Sequence, residues 1–211
     1  MRTGVLGGSF DPPHLGHLGI ATAARSFLHL DRVLFVPCYL PAHKAPQSLS
    51  PFETRWQLLQ EALSGRPGFE AAAIERERGG VSYTVDTLKE LRAAYPEDEF
   101  WLILGEDSLA DLPGWRTPEE IARLARIAVY PRASEAPGGP RPGSQPSVAS
   151  GERREAPRPA YLEGRVSWIP GPRFDISSTE VRRRARAGLP LGKLVPVGVA
   201  RSIGRLGLYR V

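Results

Sequence analysis

Apolar residues in this 211-residue chain follow two rhythms. Thr3–Leu6, Arg32–Val36, Phe69–Ile74, Phe100–Leu104, Ile127–Tyr130 and Val166–Ile169 are short runs with few polar interruptions, the pattern of strands covered on both faces. Between them, Leu15–Leu30 and Thr84–Ala94 carry a helical period. Three further helices announce themselves by their starts. Ser50-Pro51-Phe52-Glu53 offers a capping serine, a proline at the first position and a glutamate three residues after the cap. Thr117-Pro118-Glu119-Glu120 repeats that signature, and Ser177-Ser178-Thr179-Glu180 opens a helix that Gly188 is placed to close. A last helix is predicted within Val195–Leu206. Strands that alternate with helices predict an α/β architecture, a largely parallel sheet flanked by helices on both faces. In such folds ligands bind beyond the carboxyl ends of the strands, at a topological switch point.

The rhythm fails over Ala133–Pro159, which is rich in Pro, Gly, Ser, Arg and Glu and nearly empty of large apolar residues. Such a stretch buries too little to order itself. Because a strand and a helix follow it, it reads as a mobile loop inside a single domain spanning 1–211. The first strand is predicted to begin almost at Met1, so no signal peptide is expected, and no apolar run approaches a membrane span. The expectation is a cytoplasmic protein with no membrane partner. The one cysteine, Cys38, excludes an intrachain disulfide framework and a cysteine-rich zinc site, and reads as a small buried residue. The net charge of +5 suits a nucleic-acid binder or an enzyme of polyphosphates, but arginine far outnumbers lysine, which points to a compositional bias instead. The arginines are spread along the chain, without the basic stripe and stacking aromatics that nucleic-acid binding calls for.

The candidate chemistry opens the chain. In Val5-Leu6-Gly7-Gly8-Ser9-Phe10-Asp11-Pro12-Pro13-His14-Leu15-Gly16-His17-Leu18, a strand runs into two glycines, a prolyl turn and a helix start. Glycines admit close approach of a ligand to the backbone. A helix N-terminus offers unpaired N–H groups to an anion. His14 and His17, three residues apart, share one helical face, so both rings can address one phosphate chain. A second anion-binding start lies at Asp175-Ile176-Ser177-Ser178-Thr179-Glu180-Val181-Arg182. Here Ser177 caps the helix with Glu180 completing the box, and Arg182 adds a fixed charge. Arg183, Arg184 and Arg186 read as a solvated face.

The first string resembles the phosphate-binding signature of the nucleotidylyltransferase superfamily, a His-x-Gly-His core after a Gly-Gly-x-Phe-Asp-Pro loop. The second resembles that superfamily's other ATP-binding signature. Pro41-Ala42-His43-Lys44, Val81-Ser82-Tyr83-Thr84-Val85-Asp86-Thr87-Leu88, Leu104-Gly105-Glu106-Asp107-Ser108-Leu109, Leu112-Pro113-Gly114-Trp115 and the terminal Gly207-Leu208-Tyr209 narrow the likeness. Together they resemble the bacterial nicotinate-nucleotide adenylyltransferases over nearly the whole chain. The chain departs from that pattern at Ser9, where threonine is common, and after Tyr130-Pro131-Arg132, which continues Ala-Ser-Glu instead of Arg-Pro-Gly.

The resemblance implies a Rossmann-like fold and transfer of an adenylyl group from ATP to nicotinate mononucleotide, with Mg²⁺ carried on the ATP and no protein metal site. It assigns Gly7, Gly8, Ser9, Phe10, Gly16, Gly105, Asp107, Ile176, Ser177 and Ser178 to ATP binding. His14, His17, Lys44 and Arg182 become catalytic. His43, Lys44, Tyr83, Thr84, Trp115 and Arg132 become acceptor ligands. A flat ring bearing a carboxylate suits the last group: Trp115 to stack on it, and the Tyr83–Thr84 helix start to donate to the carboxylate. Gly16 is expected to admit the adenosine. Nicotinamide mononucleotide or phosphopantetheine as acceptor, and a non-catalytic nucleotide sensor, stay open on the sequence. So does assembly into a homo-oligomer.

Overall fold

A computed structural model of the chain describes residues 1–42, 49–131, 159–172 and 174–210. Six strands form one parallel sheet: β1 (Arg2–Gly8), β2 (Arg32–Pro37), β4 (Phe69–Ala71), β6 (Glu99–Gly105), β7 (Arg126–Tyr130) and β8 (Val166–Trp168). Their order is β4-β2-β1-β6-β7-β8, with every pairing parallel. The chain therefore leaves β1 toward one edge and returns beside it with β6. That reversal is the switch point at which open α/β sheets bind ligands. Two two-residue strands, β3 (Leu40–Pro41) and β5 (Val81–Ser82), pair separately.

The uninterrupted apolar runs are explained by a core on each face. Val5, Leu34, Leu102, Leu104, Ile127 and Val129 point to one side, where α4 (Thr84–Ala94) and α6 (Pro118–Leu124) pack through Val85, Leu88, Leu91 and Ile121. Their sheet neighbours Leu6, Phe35, Trp101, Ile103 and Ala128 point to the other side, against Leu18, Ala21 and Ala24 of α1 (Leu15–Phe27). Neighbouring strand residues face opposite ways, so a strand buried on both faces needs apolar side chains at every position. A third cluster joins α2 (Phe52–Leu63), α7 (Ser178–Arg186) and α8 (Val197–Arg205) through Leu58, Ala62, Val181, Val199 and Ile203.

Several local expectations need correction. Phe69–Ile74 is a strand only to Ala71, and Ile74 starts a short helix, α3 (Ile74–Arg78). Ser50 does not cap α2: Pro51 holds that position with no side-chain cap, while the Ser50 N–H donates to Asp11 Oδ2 at 3.0 Å. Thr117 precedes α6 as expected, yet its left-handed φ of 47° comes without a side-chain cap bond. Ser177 does cap α7, accepting from the Glu180 N–H at 3.2 Å. Glu180 does not return the bond. Its carboxylate is instead shared by Arg183 and Arg184, which hold it down to a pKa of about 2. Gly188 follows α7 with φ 66°, as a helix-ending glycine does. Cys38 is half-buried, more exposed than expected. The Ala133–Pro159 stretch lies outside the described residues except for Pro159.

Candidate active site

The two histidines of the opening motif cap their own helix. His14 is the N-cap of α1, and its Nδ1 accepts from the His17 N–H at 3.4 Å. His17 Nδ1 in turn accepts from the His14 N–H at 3.1 Å. The rings stack with centroids 3.6 Å apart. A nitrogen that accepts from a backbone N–H carries no proton, so both neutral rings hold theirs on Nε2. Burial pushes the His14 pKa down to about 4, and burial together with the neighbouring His14 pushes that of His17 well below 6.5. Both rings are thus neutral near pH 7, each with an Nε2–H donor left to offer.

This arrangement changes the anion site that α1 was expected to provide. The Leu15 N–H already donates to the Leu194 carbonyl at 2.8 Å, and the His17 N–H is held by His14. Of the first three helix N–H groups, Gly16 retains the one without a bond among the described residues. A more open start is that of α7, where Ser177 holds the Glu180 N–H. The histidines and the start of α7 face one another across a cavity of about 520 Å³, lined by His14, His17, Gly105, Ile176, Ser177 and Ser178. Ile20, Tyr130, Pro131, Phe174 and Asp175 complete the wall. The cavity stands over the carboxyl ends of β6 and β7, beside that of β1.

The other residues expected at the nucleotide take different places. Phe10 is fully buried with φ 46°, its ring edge-on to His17 at a centroid distance of 4.9 Å. It supports the histidine from beneath. The space a side chain would fill at Gly7 and Gly105 is open, whereas at Gly8 it would press on the Phe10 ring at 3.3 Å. A Cβ on Gly16 would lie 3.0 Å from His14 Nδ1 and 3.4 Å from Phe174. The missing side chain there makes room for the histidine ring. The Ser9 carbonyl accepts from Arg55 at 2.8 Å. Asp107 is exposed in the first turn of α5 (Glu106–Asp111), two residues past Gly105. Arg182 donates to the Asp11 carbonyl at 2.7 Å and to Thr179 Oγ1 at 3.3 Å, so part of its fork is spent on the loop that carries the histidines.

A second cavity, about 490 Å³, gathers Tyr83, Thr84, Trp115 and Arg116 with Ser82 and Asp111. Tyr83 is the N-cap of α4 and Thr84 its first residue. The first N–H groups of a helix have no partner within it. Trp115 follows a 3-10 turn, Leu112–Gly114, and stands partly buried against the core. The Arg116 guanidinium lies 4.7 Å from the centroid of the Tyr83 ring and 3.2 Å from Asp86. His43, Lys44 and Arg132 fall outside the described residues. Among the described residues no group of three or more His, Cys, Asp or Glu side chains converges to hold a metal ion.

Sequence reasoning missed Arg55. Its guanidinium is 1% exposed and donates to three carbonyls: Ser50 at 3.0 Å, Ser9 at 2.8 Å and Cys38 at 2.8 Å. It ties the end of β2 and the start of α2 to the loop after β1. The one available signal was an arginine among the inward positions Phe52, Leu58, Leu59 and Ala62 of α2. Tyr130 and Phe174 were missed as cavity walls because neither lies in a glycine-rich or capped turn.

A family model described as cytidylyltransferase-like matches residues 5–184. Among curated proteins, a probable nicotinate-nucleotide adenylyltransferase of Salinibacter ruber is 38% identical over 210 residues, covering 100% of this chain and 98% of its own. Its namesake in Herpetosiphon aurantiacus is 39% identical over 214 residues, covering 99% and 98%. Among solved structures, Plasmodium falciparum nicotinic acid mononucleotide adenylyltransferase complexed with NaAD superposes with a TM-score of 0.71 at 18% identity, over 99% of this chain and 97% of that one. The fold, a mostly parallel sheet between helices, is common to both.

Proposed function

This chain belongs to the cytidylyltransferase-like family, and from that premise we propose that it transfers the adenylyl group of ATP to nicotinate mononucleotide, giving nicotinate adenine dinucleotide and pyrophosphate. Full-length identity of 38–39% to proteins named for that reaction supports the reading. The observation that carries it is the pair of neighbouring cavities, one with anion donors and one with an aromatic platform. His14 and His17 offer Nε2–H groups, and the α7 start offers backbone N–H groups, to a triphosphate. Trp115 offers a face to a pyridine ring, and the α4 start offers N–H groups to its carboxylate.

The acceptor is already a nucleophile, so no covalent enzyme intermediate is required. A phosphate oxygen of nicotinate mononucleotide attacks the α-phosphorus, the bond from that phosphorus to the bridging oxygen breaks, and pyrophosphate leaves. Catalysis is then positioning plus charge stabilisation. His17 addresses the α-phosphate as charge builds there, and His14 the departing phosphates, with Lys44 and Arg182 assisting. Ser9, Phe10, Gly7, Gly8 and Gly16 shape the floor beneath the nucleotide. Gly105 and Asp107 serve the adenosine, with Ile176, Ser177 and Ser178 opposite. His43 and Arg132 join Tyr83, Thr84 and Trp115 on the acceptor side. Mg²⁺ enters as part of the ATP substrate, keeping much of its water shell. The reaction is placed in the cytoplasm, on free nucleotides and without nucleic acid.

The test is pyrophosphate release with ATP and Mg²⁺, comparing nicotinate mononucleotide with nicotinamide mononucleotide. The expected result is a clear preference for the acid. Equal rates would refute the acceptor pocket as read, and silence with both would refute the reaction.

A further inference from the structure

Two features that take part in the family likeness have no place in either cavity: Asp11 of the first loop, and the terminal Gly207-Leu208-Tyr209. They meet each other instead. Asp11 is 1% exposed. Its Oδ1 accepts from the Tyr209 hydroxyl at 2.7 Å, across 198 residues of chain, and its Oδ2 accepts from the Ser50 N–H at 3.0 Å. A buried carboxylate is tolerated only when its oxygens are hydrogen-bonded, so this one holds both donors firmly.

We propose that Asp11 and Tyr209 form a latch by which the segment after α8 fixes the β1–α1 loop in its nucleotide-binding shape, making both positioning residues for the ATP side of the proposed adenylyl transfer. The loop needs such fixing. Phe10 sits in the left-handed region at φ 46°, where a side chain is disfavoured, and its ring underlies His17. The carbonyls of the next two residues are gripped from α7, Asp11 by Arg182 at 2.7 Å and Pro12 by Ser178 Oγ at 2.9 Å. The same helix walls the cavity opposite the histidines. The loop thus hangs between α7, which holds the Asp11 and Pro12 carbonyls, Arg55, which holds that of Ser9, and Tyr209, which with the Ser50 N–H holds the Asp11 side chain.

The latch is also built at its other end. Gly207 and Tyr209 both take left-handed φ, 60° and 65°, turning the chain so that the phenol points inward. Burial and the Asp11 charge hold that phenol well above its ordinary pKa, so it stays a donor at any working pH. Upstream, α8 is keyed to α2 by the Ser202 hydroxyl on Glu61 at 2.8 Å. Removing the hydroxyl alone leaves Asp11 with a buried oxygen unpaired, beneath the residues that approach the triphosphate.

The experiment is Tyr209→Phe in the full chain, read by equilibrium titration with ATP and Mg²⁺, by titration with nicotinate mononucleotide, and by KM for each. ATP affinity is expected to fall about tenfold, in keeping with one lost hydrogen bond to a charged group, and the acceptor's by less than about twofold. Equal weakening of both ligands, or no change in either, would overturn the latch. Should Tyr209→Phe fail to fold, Asp11→Leu carries the same test, since it is close to aspartate in shape and offers the phenol no acceptor. Selective loss of ATP affinity supports the latch, and unchanged ATP affinity overturns it. The ATP titration needs no acceptor. A wild-type protein inactive with nicotinate mononucleotide would therefore refute the proposed reaction and still leave the latch tested.

Discussion

A histidine that caps a helix with its own ring has its tautomer chosen for it. In His14 and His17 the backbone N–H groups claim Nδ1, the proton is left on Nε2, and burial keeps the charge off both rings. Each side chain is then a neutral donor whose strength grows as charge develops on the phosphate it faces. His17→Ala removes a donor and half of the capping box together. The expected loss is about 10²–10³-fold in turnover, the range for one transition-state donor, with ATP affinity falling less. Single-turnover pyrophosphate release together with circular dichroism would check it, and near-normal turnover in a folded variant would remove His17 from that role. The pair was legible in the sequence because spacing of three puts both rings on one face. The capping was not, because histidine rarely serves as an N-cap and no pattern marks it. Arg55 was less legible still. A buried guanidinium on three carbonyls has no sequence signature, since those carbonyls come from main chain at Ser9, Cys38 and Ser50.

Helix starts carry most of the chemistry, and they are not equivalent. The α1 start is largely spent, on Leu194 and on the histidines themselves. The starts of α7 and α4 open into the two cavities. Serine, proline and glutamate near a boundary marked where helices begin, but not which N–H groups stay available. The Ser177 cap formed as read, while Ser50 turned its N–H to Asp11 instead. That choice depends on a carboxylate 39 residues away, which no local pattern reports. At the second cavity the turn Leu112–Gly114 delivers Trp115 beside the start of α4. Trp115→Ala is expected to weaken nicotinate mononucleotide about two- to tenfold, in line with about 0.5–1.5 kcal/mol for an aromatic contact, and ATP by much less. Titration with each ligand separately would decide it, and equal losses would mark Trp115 as a packing residue.

The whole molecule places both cavities at one end of a sheet whose order reverses beside β1. The architecture could be read from strands apolar at every position, because only a sheet covered on both faces calls for them. Residues 43–48 and 132–158, with the candidates His43, Lys44 and Arg132, lie outside the described structure, so the sequence reading of them stands as proposal. The neutral histidine pair has a cost borne by the folded molecule as a whole. Unfolded, a histidine binds its proton near pH 6.5; folded, His14 resists until about pH 4, and His17 too is held well below 6.5. Between those values the unfolded chain holds more protons, so stability rises with pH and falls as the solution is acidified below 6.5. For His14 the full difference is worth about 3 kcal/mol, reached only near the bottom of that window. Denaturant unfolding at pH 7.5 and pH 5 should therefore show a clear loss at the lower pH. His14→Gln, which binds no proton in either state, should show a smaller one. ATP should narrow the gap in the native protein, because phosphate charge favours the protonated rings and lifts their folded pKa toward the unfolded value. An unchanged pH dependence in His14→Gln would mean that the acid sensitivity arises elsewhere and that the buried pair is not what limits the fold.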